Sequence, residues 1–274
     1  MSRWLTWRHP WSRVGDLLCV LVLGACVLAA VWPGVFTSLH PLGVHPAQAF
    51  LPPQWGHLFG TDESGRDVFT RVIYGTRTSL RIGAVATAIG MSLAVVLGFV
   101  SAFAGKVSDF LASRLVEVLF AFPGLVLALL FVALAGPGVW PATIAVGLAT
   151  APGYARIIRG QALIAARSGY ARQSVLLGQR PAARLWHHLL PNTLWPVLSL
   201  VTLGIGQAIV WAAALSYLGV GAVPPAPEWG AMLNAGRTYM DTAWWMTFFP
   251  GAAVVVVAAA ATALGRSLQQ RSRK

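Results

Sequence analysis

Six stretches of this chain are apolar over the length needed to cross a membrane, and nothing else constrains its fold as tightly. They cover residues 14–36, 82–104, 115–135, 139–158, 195–220 and 243–264. A bilayer core about 30 Å thick needs around 20 apolar helical residues. Inside it the backbone must satisfy its own hydrogen bonds, so such stretches are helices. The expected fold class is therefore all-α: a polytopic membrane protein with six transmembrane helices. Composition agrees, since 10% of the 274 residues are charged, against about 25% in a soluble domain. Two breaks show inside the apolar runs, at Phe122-Pro123-Gly124 in the third and at Pro152-Gly153 in the fourth.

The net charge of +12 first suggests nucleic acid, but a nucleic-acid binder gathers its basic residues on one polar face. Here they fall in short runs between apolar segments, so no nucleic-acid partner is expected. Placing both termini in the cytoplasm leaves Arg66, Arg71, Arg77, Arg81 and Arg237 outside and the other fifteen of the 20 Lys and Arg inside. That is the positive-inside bias, and the reverse orientation would invert it. The chain then divides into a cytoplasmic segment 1–13, a first span 14–36, a periplasmic loop 37–81 with an interfacial helix, a five-helix core 82–265 holding a cytoplasmic loop 159–194, and a basic tail 266–274. Cys19 and Cys26 lie about 10 Å apart along one helix, too far for a disulfide. The box Leu23-Gly24-Ala25-Cys26 looks like a lipoprotein cleavage site, but the apolar run continues past it, as an uncleaved span does.

Chemistry is conspicuous by what is missing. There is no HExxH pair and no GxSxG elbow, and no catalytic residue or metal site is expected. His187 and His188 are adjacent, so on a helix they diverge by about 100° and cannot share one ion. Gly105-Lys106 has Val100 where the first glycine of a phosphate-binding loop belongs. Proton-coupled carriers bury ionisable groups at mid-membrane, yet residues 118–227 contain no carboxylate. A secondary carrier is thus the remote alternative, and the chain reads as a scaffold driven from elsewhere.

Two polar regions and one small-residue row remain. In the first outer loop a helix is expected from about Arg66, with Val68, Phe69, Val72 and Ile73 on one face and Asp67 placed to pair with Arg71 one turn on. It reads as an amphipathic helix at the outer interface. The fifth span carries Gly204, Ala208, Ala212 and Ser216 at four-residue spacing. Such a row lets another helix approach closely, either within the subunit or at a seam with a second one.

The segment FGTDESGRDVFTRVIYGTRTSLRIG, residues 59–83, resembles the stretch before the second helix of the C-type permease subunit of dipeptide, oligopeptide and nickel ABC importers. LSYLGVGAVPPAPEWGAMLNAGRTYMDTAWWMTFFPG, residues 215–251, resembles the same family, and the likeness covers nearly the whole chain. The resemblance implies a type I importer permease of the bacterial inner membrane. It implies a second permease subunit, two ATP-binding subunits that carry ATP and Mg, a periplasmic solute-binding protein, and no cofactor on this chain. The solute would be a peptide, or else nickel or a metal chelate. In this reading Gly60, Thr61, Asp62, Gly65, Arg66, Asp67, Glu228, Trp229 and Gly230 form an outer docking or gate motif, or serve structure alone. Trp244 and Trp245 read as interfacial anchors.

The family's cytoplasmic loop carries E-A-A, three residues, Gly, and later Leu-Pro, and docks as a coupling helix in the ATPase. GYARQSVLLGQRPAARLWHHLLPN, residues 169–192, keeps Gly178 and Leu190-Pro191-Asn192 at that spacing. Arg172, Gln173 and Ser174 stand in place of the acidic motif. A short helix from Tyr170 to Leu177, broken at Gly178 and restarted at Pro181, follows from local rules. Docking then rests on a complementary carboxylate opposite Arg172, on a weaker contact, or on apolar Val175, Leu176 and Leu177.

Overall fold

The structure is a computed structural model that describes residues 11–272. The expected segment 1–13 thus lies largely outside the described residues, as do 273–274 of the tail. Among the described residues there are helices and isolated bridges but no strands. The helix α1 (Trp11–Val31) ends five residues before the expected limit of the first span. Pro33 is the cause, because the residue before a proline is pushed out of the helical region. Trp32 accordingly sits at φ −134° and ψ 65°.

The helix α2 (Val68–Phe103) runs for 36 residues, about 54 Å at 1.5 Å per residue. It replaces the separate interfacial helix and second span expected from sequence. Gly75 and Gly83 do not break it, because each is pressed by a neighbour that a side chain would strike. A Cβ on Gly75 would meet Trp229 at 3.1 Å, and one on Gly83 would meet Ile209 at 2.5 Å. Its outer face, Val68 and Val72, is buried under Met232, Ala243, Trp245 and Met246. That face meets protein, not lipid, which corrects the interfacial reading.

The third apolar stretch forms two helices, α3 (Lys106–Phe120) and α4 (Gly124–Ala135), bent by 97° at the expected Pro123 break. The helix α5 (Val139–Ala166) tolerates Pro152 inside. After a short α6 (Gly169–Leu176), the chain passes through α7 (Pro181–Arg184) and a π-helical turn Leu185–Leu189 into α8 (Leu190–Tyr217). The outer return holds α9 (Trp229–Gly236), and α10 (Trp245–Ser272) closes the chain. Among the described residues four helices, α1, α2, α8 and α10, are long and apolar enough to cross a membrane, or five spans if the bent pair counts as one. The expected count of six is therefore not reproduced. The difference lies in α5, where Pro141, Pro152, Tyr154, Arg156 and Arg159 lower the hydropathy. Its Ala and Gly residues let it sit in the centre of the bundle.

The contact between α2 and α5 is the middle of the core. Ala86 and Ala94 of α2 and Ala145, Val146, Ala155 and Ile158 of α5 are all 2% exposed or less. Gly90 and Gly147 face each other's helix so closely that side chains have no room. A Cβ on Gly90 would lie 2.8 Å from the Gly147 carbonyl oxygen, and one on Gly147 would lie 2.9 Å from that of Ala86. Helices gain nothing from leaving lipid for each other's apolar surface, so this closeness and its dispersion contacts carry the association. At the far end, Ser267 of α10 donates to Asp16 of α1 at 2.8 Å. The beginning of the first helix and the end of the last therefore lie at the same end of the molecule.

Replacing Gly147 with Val should force the two backbones apart and cost about 1–3 kcal/mol. Gly160→Ala on the same helix meets nothing within 4 Å and should be neutral. Thermal unfolding of the two variants in detergent measures the contrast.

Candidate functional sites: a buried clamp and an exposed loop

At the outer end, Asp62 is the hub. One carboxylate oxygen accepts from the backbone N–H groups of Ser64 and Arg66, each at 2.9 Å. The other accepts from Arg71 Nη1 at 2.7 Å. Arg71 Nη2 in turn donates to the Pro225 carbonyl at 3.3 Å, across 154 residues of chain. Both members of the pair are buried, at 4% and 3% exposure. A buried pair survives desolvation only when further hydrogen bonds satisfy its remaining atoms, and these do so. The expected pairing of Asp67 with Arg71 is corrected. Asp67 caps α2 by accepting from Thr70 N at 2.8 Å and takes His57 Nδ1 at 2.9 Å. The carboxylate of an N-cap turns back toward the helix start and away from a residue one turn ahead.

The other motif residues are also interior, with Arg66 partly exposed. Thr61 is fully buried and its carbonyl accepts from Trp245 Nε1 at 3.0 Å. Gly60 and Gly65 have φ of +72° and +74°, where only glycine sits without strain. Arg66 donates to Ser64 Oγ at 2.9 Å. Glu228, 1% exposed, caps α9 by accepting from Gly230 N and Ala231 N at 2.9 Å each, and Ser79 Oγ donates to it at 3.3 Å. Burial pushes this carboxyl above its ordinary range, against the hydrogen bonds from Gly230, Ala231, Ser216 and Ser79 that hold it down. Trp229 Nε1 donates to the Val72 carbonyl at 3.0 Å, and Gly230 packs on Ala213 so closely that a Cβ would lie 2.5 Å from its carbonyl. These residues brace the outer loop against α2 and α8, and all of them but Arg66 are buried. Trp245 is likewise a core residue at 6% exposure, while Trp244 is half exposed.

The loop around α6 has the opposite character. Ser168 caps α6, accepting from Ala171 N at 3.4 Å. Ala171 and Ser174 face inward, and Ser174 Oγ donates to the Ala171 carbonyl at 2.8 Å. Arg172 and Gln173 face outward, as do Tyr170, Val175, Leu176 and Leu177, with Leu176 86% and Leu177 73% exposed. Gly178 ends the helix at φ +69° with nothing within 4 Å of a Cβ. The adjacent histidines, unsuited to chelation, act as ties instead. His188 Nε2 pairs with Gln179 Oε1 at 3.0 Å, and His187 Nδ1 with the Ala183 carbonyl at 2.9 Å. Pro181 opens α7 and Pro191 falls in the first turn of α8, where Asn192 Nδ2 donates to the His188 carbonyl at 2.6 Å.

One cluster escaped the sequence reading. Arg159 of α5 grips Asp109 of α3 with Nη2 at 3.0 and 3.1 Å and donates through Nε to Ser101 of α2 at 2.7 Å. Ser113 Oγ adds a bond to Asp109 at 3.0 Å. The only sequence signal was an isolated Asp-Arg pair fifty positions apart, which no spacing rule connects. The row Gly204, Ala208, Ala212 and Ser216 is buried inside this chain and is no seam. Gly204 lies against Thr87 and Tyr154, Ala208 and Ala212 join the α2–α5 core, and Ser216 Oγ accepts from Ala222 N at 3.1 Å.

Arg71→Ala, which leaves Asp62 buried without its cation, should cost about 3–5 kcal/mol. Arg66→Ala, whose guanidinium stands 3.6 Å from Asp62, should cost less than about 1 kcal/mol. Midpoints of thermal unfolding in detergent compare the two.

Residues 94–274 match the family described as binding-protein-dependent transport system inner membrane component. The dipeptide transport system permease protein DppC of Alkalihalophilus pseudofirmus is 34% identical over 267 residues, covering 96% of this chain and 88% of that one. The di/tripeptide transport system permease protein DppC of Pseudomonas aeruginosa is 33% identical over 277 residues, covering 97% and 89%. Among solved structures, the inward-facing MetNI methionine ABC transporter aligns with a TM-score of 0.60 at 16% identity, over 73% of this chain and 95% of that one. That likeness speaks for the fold alone. The family match spans α3 to α10 and so includes the loop around α6, and the relatives extend it across the buried clamp. The chain is thus a transport component of the inner membrane and not itself an enzyme: it belongs to the binding-protein-dependent transport system inner membrane components, the permease subunits of ABC importers.

Proposed function

We propose that this chain forms, with a second permease, the translocation path for a peptide-like solute delivered by a periplasmic binding protein, and that two ATPase subunits drive it through the loop around α6. Both termini then lie in the cytoplasm, in line with the basic residues inside and the meeting of α1 and α10 at one end. A peptide is preferred to nickel or a metal chelate because the similar permeases carry peptide names. ATP and Mg bind to the partners.

The observation that carries the coupling role is the exposure of Leu176 and Leu177 beside Gly178. Leaving two leucines in water forgoes about 1.5–3 kcal/mol each, so a partner surface that covers them gains that amount. This favours the apolar contact over a charge match as the main source of docking, with Arg172 on the rim. The loop hangs on α5, and Arg159 of α5 clasps α3 and α2. Movement at α6 is thereby passed to the helices around the path.

Gly178→Asp leaves the packed core untouched, since the position faces open space. In proteoliposomes holding the whole transporter, uptake of dialanine should fall at least tenfold while the amount of inserted subunit stays within twofold. Uptake at the wild-type rate would remove the coupling assignment.

A further inference from the structure

The outer half of α2 and the start of α5 enclose a cleft of about 160 Å³, lined by Arg77, Thr78, Arg81, Ile82, Val85, Val139, Trp140 and Thr143. Arg77 and Arg81 are one turn apart on the same helix face, and both are exposed. Among the described residues neither forms a salt bridge, and no carboxylate lines the cleft. Two like charges at this spacing repel each other. Arg81 lies over the Trp140 ring, 5.2 Å from its centroid, which fixes one guanidinium at the mouth. The N-terminus of α5 opens into the same space. Gly138 provides no side-chain cap, Pro141 has no N–H, and the first-turn N–H groups of any helix lack internal acceptors. The positive end of a 28-residue helix and two unpaired guanidinium groups therefore converge on one point, beside an apolar wall of Ile82, Val85 and Val139. A helix N-terminus favours anions, and guanidinium forks suit carboxylates. Gly138 N donates to the Val220 carbonyl at 3.1 Å, which ties this turn to the start of the loop that carries Glu228 and α9. The cleft thus stands at the outer end of the molecule, where a delivered solute arrives.

The geometry points to an anion site here that takes the terminal carboxylate of the solute, with Arg77 and Arg81 as its cationic ligands and Trp140 as the wall for the adjoining residue. This rests on the peptide reading above. A dipeptide supplies the match: one carboxylate for the arginines and the helix end, and an aliphatic side chain for the apolar wall. The same chemistry would also hold a lipid phosphate, so the test separates the two sources.

Phenylglyoxal labels free guanidinium groups, and mass spectrometry reads the label at each arginine. In the assembled transporter held in nanodiscs of phosphatidylcholine, dialanine should reduce labelling of Arg77 and Arg81 at least fivefold, and dialanine amide should not. Equal protection by the amide, no protection by either, or protection only when phosphatidylglycerol is added to the disc would each overturn the assignment. In proteoliposomes, Arg81→Gln should lower dialanine uptake at least tenfold with subunit insertion unchanged, and Arg81→Lys should restore part of it. Undiminished uptake by Arg81→Gln would count against the site. Protection without any uptake by the wild-type transporter leaves the site standing and removes the peptide-import reading. Uptake without protection does the reverse.

Discussion

The close approach of α2 and α5 is what the rest of the molecule hangs on. At Gly90 and Gly147 each helix presses against backbone of the other, and alanines fill the remainder of the contact. In a membrane no water is released when two apolar helices meet, so association depends on how many atoms come within dispersion range. Removing Cβ atoms is the cheapest way to bring more backbone into that range. The arrangement also sets the distances elsewhere. It places Ser101 and Asp109 where Arg159 reaches them, and it sets the first turn of α5 beside Arg77 and Arg81.

The two ends of this pair serve different purposes. The outer end is locked. Asp62, Arg71, Glu228 and Trp229 are buried, and their hydrogen bonds tie segments about 150 residues apart. Such a lock holds the outer loop as one body with α2 and α8. The opposite end is open. Its short helix α6 shows apolar side chains to solvent and has free space around Gly178. A rigid outer frame with an unsatisfied inner surface suits a subunit that is moved by partners from below.

Much of the fold was legible from local rules, because those rules concern neighbours along the chain. Pro123 and Gly178 mark real helix ends, since proline and glycine act on their own backbone whatever surrounds them, whereas Pro33 ends α1 inside a stretch expected to run on to residue 36. The α6 helix appears within one residue of its expected bounds. Reading failed where a residue's partner is remote. Arg71 pairs with Asp62 and not with Asp67, because the cap at Asp67 competes for that carboxylate. The amphipathic start of α2 looked like an interfacial helix because its apolar face is real. Whether that face meets lipid or α9 and α10 cannot be read from periodicity.

By itself, the sequence determined that the chain is a helical membrane protein and marked the helix breaks at Pro123 and Gly178. Hydropathy over about 20 residues and the conformational limits of Pro and Gly suffice for that. Only the tertiary structure decided which polar residues are interior, why the row from Gly204 to Ser216 is core and not seam, how Arg159 meets Asp109, and that Arg77, Arg81 and the first turn of α5 share one cleft. The reason is physical: burial and charge pairing depend on contacts between segments far apart in the chain. Those contacts exist only once α2 and α5 have closed on each other.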